Sequence, residues 1–274
     1  MEYINSLFDI RDRVAIITGG GGIIGGELAK GFLHAGAKVI IIGRNEGNLQ
    51  KKVHELSAPQ NEISAFQCDV LDENRLKSVS DEILNRYGRI DILVNAAGGN
   101  MPGATIGADQ DIFDLKMDEL QKVTDLNFNG TVLPTLVFAK SMAENKKGSI
   151  INISSMASMR AITRVVGYSA GKAAVDNFTR WMAVELADKF GSGVRINAIA
   201  PGFLLTNQNR NLLTNEDGSL TDRGQTIINM TPFKRFGDPD EMVGAVIWLA
   251  SDASGFVTGA IIPVDGGFSA FSGV

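Results

Sequence analysis

The sequence predicts a single doubly wound α/β domain with a mainly parallel, seven-stranded sheet and helices on both faces. Short apolar runs rich in isoleucine and valine alternate along the chain with segments of helical periodicity. The runs are continuously apolar, as expected for parallel strands that helices bury on both sides. A glycine-rich turn follows the first run directly. The predicted strands are residues 14–18, 39–42, 63–66, 90–94, 149–153, 194–199 and 260–263.

The composition of the 274 residues excludes several classes of protein. A hydrophobic fraction of 44% is too high for intrinsic disorder. With 26 basic and 31 acidic residues the net charge is −5, which argues against nucleic acid or an anionic membrane as a partner. Cys68 is the single cysteine, and His34 and His54 are the only histidines. We therefore expect no metal site.

Membrane and export signals are not apparent in the sequence. No apolar stretch approaches the roughly 18 residues that span a bilayer. The first residues carry acids and lack the apolar region of a secretory signal. We therefore expect a cytoplasmic protein.

Residues 1–274 are expected to form one domain, because no linker, internal repeat or low-complexity tract interrupts them. Residues 203–236 differ from the rest, since Asn, Thr, Asp and Arg crowd this stretch. A polar segment of this length between two buried elements predicts a lid over a binding site. A solvated surface insertion is the alternative.

The first apolar run leads into a turn of the kind that binds dinucleotides. Gly20, Gly22 and Gly25 form a G-x-G-x-x-G pattern between a predicted strand and a predicted helix. Glycines let the backbone approach a pyrophosphate, and the helix amino terminus offers it free N–H groups. The turn therefore predicts a Rossmann-type dinucleotide site, with a merely flexible turn as the alternative.

The end of the second predicted strand bears on the choice of cofactor. A carboxylate at this place binds the ribose hydroxyls of NAD(H), whereas an arginine suits the 2′-phosphate of NADP(H). The strand ends in Gly43-Arg44, which favours NADP(H), while Glu46 leaves NAD(H) open. An ordinary exposed arginine is the alternative interpretation of Arg44.

Tyr168 and Lys172 lie four residues apart in a segment of helical periodicity, so both project from one face of the helix. A phenol has a reference pKa of about 10 and needs a neighbouring positive charge to act near neutral pH. Lys172 can supply that charge. The spacing alone also fits an amphipathic helix with a surface lysine.

With these residues, the chain resembles the short-chain dehydrogenase/reductase family along nearly its whole length. Ile23 departs from the family pattern, which usually has glycine there, and the basic residue that NADP-dependent members often carry near Gly22 is absent. The matching pieces are Thr18-Gly19 with Gly25, Asp69-Val70, Asn95-Ala96-Ala97-Gly98, Asn127, Ser154-Ser155, Tyr168-x-x-x-Lys172, and Asn197-Ala198-Ile199-Ala200-Pro201-Gly202 with Thr206.

The resemblance implies four catalytic residues. Tyr168 is the expected general acid/base, and Ser155, 13 positions before it, is expected to hydrogen-bond the reacting oxygen. Lys172 is expected to lower the pKa of Tyr168 and to hold the nicotinamide ribose. Asn127 is expected to anchor a water molecule that relays protons.

The resemblance also implies cofactor contacts at the ends of several strands. Asp69 and Val70 would flank the adenine, Asn95 and Gly98 the ribose region, and Thr206 the carboxamide. The full set of expected cofactor-binding residues is Thr18, Gly19, Gly20, Gly22, Ile24, Gly25, Arg44, Asp69, Val70, Asn95, Ala96, Gly98, Tyr168, Lys172, Pro201, Gly202 and Thr206.

Longer segments, among them NAAGGN and SMASMRAITRVVGYSAGK, resemble members of the family that interconvert D-fructuronate and D-mannonate. This likeness implies an NAD(P)(H)-dependent oxidoreductase of sugar acids. It also implies a homotetramer, built partly from the helices that carry Asn127 and Tyr168. Another polyol or gluconate-type dehydrogenase and a non-catalytic dinucleotide-binding regulator are the alternatives.

A sugar acid needs an arginine for its carboxylate and several amide or hydroxyl partners. Arg164 lies four residues before Tyr168 and is the expected carboxylate ligand, although a surface arginine is an equal alternative. The expected substrate contacts are Asn100, Ser155, Arg164, Gln208 and Arg210.

Overall fold

The computed structural model describes residues 2–57, 62–107, 109–206 and 209–273. Its strands are β1 (Val14–Thr18), β2 (Lys38–Gly43), β3 (Ile63–Gln67), β4 (Ile92–Asn95), β5 (Gly148–Ile153), β6 (Val194–Pro201) and β7 (Ile261–Val264). These seven strands form one sheet in the order β3-β2-β1-β4-β5-β6-β7, and every neighbouring pair is parallel. Within the described ranges the sheet is wholly parallel, so the predicted doubly wound architecture is confirmed.

The seven predicted runs all become strands, with small differences at their ends. β6 continues two residues beyond the predicted end, because Pro201 pairs with Val264 of β7. β4 begins at Ile92 and not at Ile90. The residue between them, Asp91, accepts a hydrogen bond from the N–H of Val14 at 2.8 Å and so anchors the start of β1 through its side chain.

Ten α-helices lie within the described residues, and most connect consecutive strands. A single π-helical turn, Asp125–Asn129, joins the fifth helix to the sixth. The helices are α1 (Glu2–Leu7), α2 (Ile23–His34), α3 (Glu46–Leu56), α4 (Glu73–Tyr87), α5 (Met117–Thr124), α6 (Gly130–Glu144), α7 (Val166–Phe190), α8 (Arg210–Leu213), α9 (Asp222–Met230) and α10 (Val243–Ala250).

Local signals set the ends of these helices. The Asp72 side chain caps α4 by accepting a hydrogen bond from the N–H of Arg75 at 3.0 Å. Gly88 ends the same helix with φ +74°, a left-handed conformation that favours glycine. Asn45 caps α3 in the same way as Asp72 caps α4.

The core consists of two apolar clusters, one on each face of the sheet. Successive side chains of β2 point to opposite faces, so Val39 and Ile41 join one cluster while Ile40 and Ile42 join the other. Phe32 of α2 is buried in the first cluster. This double burial is the reason why the strand sequences are apolar without alternation.

The sheet order reverses between β1 and β4, which are neighbours in space but not in sequence. At such a switch point, the connections of the two halves diverge and leave a crevice at the carboxyl ends of the strands. The polar segment 203–236 follows β6 at this edge and forms α8 and α9. In the part of the chain that the structure describes, no helix is both long and apolar enough to cross a membrane.

Candidate active site

A cleft of about 590 Å³ crosses the carboxyl ends of six strands that are neighbours in the sheet: β3, β2, β1, β4, β5 and β6. This volume is typical of a small-molecule site. Of the expected cofactor and substrate residues, those that line the cleft are Gly19, Gly22, Ile24, Gly25, Arg44, Val70, Ala96, Gly98, Asn100, Ser155, Tyr168, Lys172, Pro201, Gly202 and Thr206.

The glycine turn after β1 is shaped by close backbone contacts. Gly19 has φ +67°, and a Cβ atom there would lie 2.8 Å from the carbonyl oxygen of Ala96. A Cβ on Gly25 would lie only 2.5 Å from the carbonyl oxygen of Gly19. Larger residues would push the turn open, so both positions require glycine.

The amino terminus of α2 opens into the cleft. Its N-cap, Gly22, makes no side-chain hydrogen bond, which leaves the first N–H groups of the helix without a side-chain cap. Gly22, Ile23, Ile24 and Gly25 all line the cleft. Ile23, where the family usually has glycine, is the first residue of the helix, a place that a β-branched residue can occupy. The turn therefore fits the pyrophosphate of a dinucleotide.

Four of the expected cofactor residues, Thr18, Gly20, Asp69 and Asn95, do not line the cleft but hold its walls. The Thr18 hydroxyl accepts hydrogen bonds from the N–H groups of Ala96 and Ala97, each at 3.1 Å. Asn95 is buried and donates to Thr135 and Asn152, each at 2.9 Å. Asp69 accepts from the N–H of Leu71 at 3.0 Å, and Gly20 packs against Ile41.

The end of β2 carries a positive charge into the cleft. Arg44 is exposed and lines the cleft together with Asn45 and Asn48. Glu46, which would favour NAD(H), is not among the residues lining the cleft. This wall thus presents one cation and two amides to the cleft.

Ser155, Tyr168 and Lys172 meet at the ends of β5 and α7. Ser155 follows β5, and its hydroxyl accepts a hydrogen bond from the N–H of Ala157 at 3.1 Å. Tyr168 and Lys172 lie in the first two turns of α7. The Lys172 ammonium donates to the carbonyl oxygen of Ile153 at 2.8 Å and lies 5.7 Å from the centre of the Tyr168 ring. Three of the four expected catalytic residues therefore line one cleft.

The titration of Tyr168 differs from the expectation. Burial of the phenol raises the pKa of Tyr168, and its hydrogen bond with Ser155 opposes the rise. Lys172, whose ammonium lies 5.7 Å from the centre of the Tyr168 ring, does not offset the effect of burial on the pKa of Tyr168. Burial also lowers the pKa of Lys172 itself to about 8, against the opposing charge of Asp176.

Asn127 lies next to this group but does not line the cleft. It is fully buried in the π-helical turn, where its amide donates to the carbonyl oxygens of Gly99 and Val123 at 2.7 and 2.8 Å and accepts from the N–H of Gly99 at 3.0 Å. A Cβ on Gly98 would lie 2.8 Å from the Asn127 oxygen and 3.0 Å from the Lys172 nitrogen. Asn127 thus fixes the backbone that passes beside Lys172.

The expected substrate residues are not all in the cleft. Asn100 lines it and donates to the Thr105 hydroxyl at 2.5 Å. Arg164 and Arg210 are not among the residues lining the cleft, and Arg210 is exposed on α8. Gln208 lies outside the described residues.

Two residues that the sequence patterns did not single out are close to the site. Asp176 is buried one helical turn after Lys172, and its carboxylate accepts hydrogen bonds from the hydroxyls of Ser154 and, at 2.6 Å, Ser158. These serines flank Ser155. The four-residue spacing from Lys172 is the signal in the sequence that could have indicated Asp176.

Arg223 is the second such residue, and it lines the cleft from α9. Arg223 is the second residue of α9. The Thr221 hydroxyl caps this helix by accepting a hydrogen bond from the N–H of Gly224 at 3.1 Å. That capping residue predicts the start of a helix, but the sequence alone does not show that the helix faces the cleft.

Among the described residues, no group of three or more His, Cys, Asp or Glu side chains is placed to hold a metal ion.

A doubly wound sheet, an open glycine turn and a serine, tyrosine and lysine at one cleft define the class as a dinucleotide-binding oxidoreductase. The family profile described as Enoyl-(Acyl carrier protein) reductase matches residues 22–269. The chain belongs to the short-chain dehydrogenase/reductase family and is a nicotinamide-dependent oxidoreductase.

Relatives of known sequence or structure cover nearly the whole chain. The Bacillus subtilis oxidoreductase UxuB, itself uncharacterized, is 42% identical over 97% of this chain and 98% of its own. The crystal structure of a candidate D-mannonate oxidoreductase from Haemophilus influenzae, with bound NAD, is 39% identical with a TM-score of 0.91, covering 99% of this chain and 100% of the other. A gluconate 5-dehydrogenase from Burkholderia cenocepacia, in complex with NADP and tartrate, is 32% identical with a TM-score of 0.85, covering 97% and 99%.

The close packing of the glycine turn leads to a first prediction. Gly25→Ala places a methyl group 2.5 Å from the Gly19 oxygen, so we expect affinity for reduced nicotinamide cofactors to fall roughly tenfold or more. Gly244→Ala is the matched control, because a Cβ there meets no atom within 4 Å. Titration of cofactor fluorescence measures the affinity, and an unchanged value for Gly25→Ala would contradict the packing argument.

Proposed function

We propose that the protein transfers a hydride between a nicotinamide cofactor and a sugar acid, and that the acid pair is D-fructuronate and D-mannonate. The observation that carries the proposal is the position of Ser155, Tyr168 and Lys172 on the same cleft as the glycine turn. The likeness to the Haemophilus influenzae structure supports the choice of substrate.

The proposed chemistry assigns a separate task to each of these side chains. The bound nicotinamide supplies the hydride in the reducing direction and accepts it in the oxidising direction. The hydroxyl of Ser155 hydrogen-bonds the reacting oxygen and holds it beside the phenol. Tyr168 gives its proton to that oxygen during reduction and takes it back during oxidation. The positive charge of Lys172 stabilises the phenolate that is left.

The role expected for Asn127, anchoring a water molecule, stays a prediction. Its side-chain amide is already bound to Gly99 and Val123. The main-chain carbonyl of Asn127 accepts a hydrogen bond from the Thr131 hydroxyl at 3.0 Å. We propose that Asn127 contributes to proton relay chiefly by holding the Gly98-Gly99 backbone beside Lys172.

For the cofactor we propose a preference for NADP(H), with NAD(H) as the alternative. Arg44 supports NADP(H), since it is the charged side chain of the β2 wall and faces the cleft. The solved relatives do not decide the matter, because the Haemophilus influenzae protein has NAD bound and the Burkholderia cenocepacia protein has NADP.

We also propose a homotetramer and a lid formed by residues 203–236. Apolar side chains that are exposed on α6 and α7, such as Leu136, Trp181 and Val184, support association through these helices. Phe203, Leu204, Thr206, Asn209 and Arg223 line the cleft from the polar segment and support its role as a lid. A cytoplasmic location stays a prediction.

A gluconate-type dehydrogenase is the second candidate, and the likeness to the Burkholderia cenocepacia enzyme favours it. A screen of NADPH and NADH oxidation against D-fructuronate, D-tagaturonate and 5-ketogluconate distinguishes the two. We expect the highest kcat/KM with D-fructuronate. A preference for 5-ketogluconate would select the second candidate, and no oxidation with any ketone would favour a non-catalytic regulator.

Replacing the proposed acid tests the catalytic assignment. For Tyr168→Phe we expect turnover to fall about 100-fold or more, because the variant has no proton to transfer. Cofactor affinity should stay near the wild-type value. Tyr87→Phe is the control, since Tyr87 is not among the cleft-lining residues. Wild-type turnover in Tyr168→Phe would remove Tyr168 from the mechanism.

The lowered pKa of Lys172 predicts a pH dependence of reduction. Below about pH 8 the Lys172 amine is charged and stabilises the phenolate, and the charge is lost as the pH rises through that value. The raised pKa of Tyr168 keeps the phenol protonated over the same range. We therefore expect kcat/KM for reduction to fall above about pH 8.

Lys172→Arg tests the origin of this pH dependence. A guanidinium stays charged far above the range in which an amine titrates. The fall in kcat/KM should therefore move to higher pH in the variant, even if its maximum is lower. A fall at the same pH in both proteins would assign it to another group.

The proposed cofactor preference depends on Arg44. For Arg44→Ala we expect KM for NADPH to rise about tenfold, because one charge-assisted contact to a phosphate is lost. KM for NADH should change little. Lys51→Ala, which removes an exposed lysine on the neighbouring α3, is the control. Equal effects on both cofactors would show that Arg44 does not recognise the 2′-phosphate.

A further inference from the structure

Arg223 of α9 contacts the residue that precedes Arg164, so two arginines from separate segments lie near each other beside the start of α7. Arg223 lines the cleft from α9, and its guanidinium donates to the Thr163 hydroxyl at 3.3 Å. Thr163 is followed directly by Arg164. Ile162 and Val165, on either side of these two residues, line the same cleft. Arg223 therefore reaches from the polar segment to the loop that leads into the helix of Tyr168.

Neither arginine is neutralised by a carboxylate of the described residues. In the described part of the chain, no carboxylate forms an ion pair with Arg164 or Arg223, although six other arginines pair with Asp or Glu. Those six are Arg11, Arg13, Arg75, Arg86, Arg89 and Arg235. Two neighbouring positive charges, one of which lines the cleft, thus lack an anionic partner within the described chain.

The environment of Arg223 favours an anion. Burial in the cleft wall, and after it repulsion from Arg164, lower the pKa of the Arg223 guanidinium. Half-buried like charges destabilise each other, and an anion placed against them offsets both the repulsion and the lost hydration. A carboxylate can also bind an arginine through two parallel hydrogen bonds.

Arg164 differs from Arg223 in that backbone contacts hold it. Its Nε donates to the carbonyl oxygen of Ile106 at 2.9 Å, and the N–H of Ile106 donates to the Arg164 carbonyl at 3.0 Å. Its φ is +75°, in the left-handed region that non-glycine residues rarely adopt. Arg164 thereby joins the loop after β4 to the loop before α7, and its side chain does not line the cleft.

We infer that Arg223 binds the carboxylate of an acidic substrate, that Arg164 supplies a second positive charge behind it, and that Arg223 determines the selection of acids over neutral polyols. This inference rests on the proposed function and adds to it the residue that recognises the acid group. It assigns Arg164 a supporting charge in place of the direct contact that the sequence predicts.

The test compares two ketoses that differ only in the acid group: D-fructuronate, which carries a carboxylate, and D-fructose, which carries a hydroxymethyl group. For Arg223→Gln we expect kcat/KM with D-fructuronate to fall roughly 10- to 100-fold, as for a lost charge-assisted pair. With D-fructose it should stay within about threefold, because a hydroxymethyl group makes no such pair. Arg11→Gln, which removes an exposed arginine outside the cleft, is the control.

A binding measurement separates this inference from the proposed function. Calorimetric titration of D-mannonate into the protein with oxidised cofactor should give a weaker Kd for Arg223→Gln than for wild type, with cofactor affinity unchanged. Arg223→Lys keeps the charge without the planar fork, so its Kd should lie between the two. This variant also serves as the test if Arg223→Gln does not fold.

Three results would overturn the inference. If Arg223→Gln keeps wild-type kcat/KM for D-fructuronate and wild-type affinity for D-mannonate, Arg223 does not bind the carboxylate, while the proposed function stands. If the variant loses activity with D-fructose to the same extent, Arg223 has a structural role only. If wild type binds no sugar acid and reduces neutral ketoses alone, the substrate assignment and the inference both fail.

Discussion

The hydrogen bond between the Lys172 ammonium and the carbonyl oxygen of Ile153 is the contact on which the arrangement of the site depends. It joins α7, which carries Tyr168, to the last residue of β5, after which Ser155 follows. A buried amine without a partner is costly, so this bond fixes where the helix sits relative to the strand. Burial lowers the pKa of the same amine to about 8, which makes its charge sensitive to pH near neutrality.

A buried carboxylate on α7 adds further hydrogen bonds between this helix and the residues around Ser155. Asp176, one turn further along α7, accepts hydrogen bonds from Ser154 and Ser158 and opposes the loss of charge at Lys172. The backbone on both sides of Ser155 is thereby attached to the helix of Tyr168. A network in which each buried polar group has a partner holds side chains more rigidly than apolar packing does. Such rigidity suits the proposed reaction, in which a serine and a tyrosine act on one oxygen atom.

The charged side chains that line the cleft are basic, although the chain as a whole is acidic. The chain as a whole carries a net charge of −5, yet arginines face the cleft at both Arg44 and Arg223. Low-dielectric walls strengthen the field of such charges inside a cleft. The anionic groups of a dinucleotide and of a sugar acid would therefore meet positive potential at two separate places, one beside β2 and one beside α9.

The strands and the glycine turn were predictable because their signals are local. Buried parallel strands need continuous apolar runs, and the close approach of Gly25 to the Gly19 carbonyl requires a residue without Cβ. The serine, tyrosine and lysine of the proposed mechanism were equally visible, because the motifs around them resemble one family along nearly the whole chain. Local patterns do not show which polar residues face inward. Thus Asn95 and Thr18 match the family motifs, but the structure uses them to hold strand ends together.

By itself, the sequence determined the sheet, the position of the glycine turn, and the serine, tyrosine and lysine that the fold brings to one cleft. Only the tertiary structure showed that the pKa of Tyr168 is raised, because burial of the phenol and its hydrogen bond with Ser155 depend on how α7 packs against the end of β5. It likewise decided that Arg223 faces the cleft and that backbone contacts hold Arg164. Such facts depend on contacts between residues far apart in the chain, since Arg164 meets Ile106 and Arg223 meets Thr163 only after the strands have assembled.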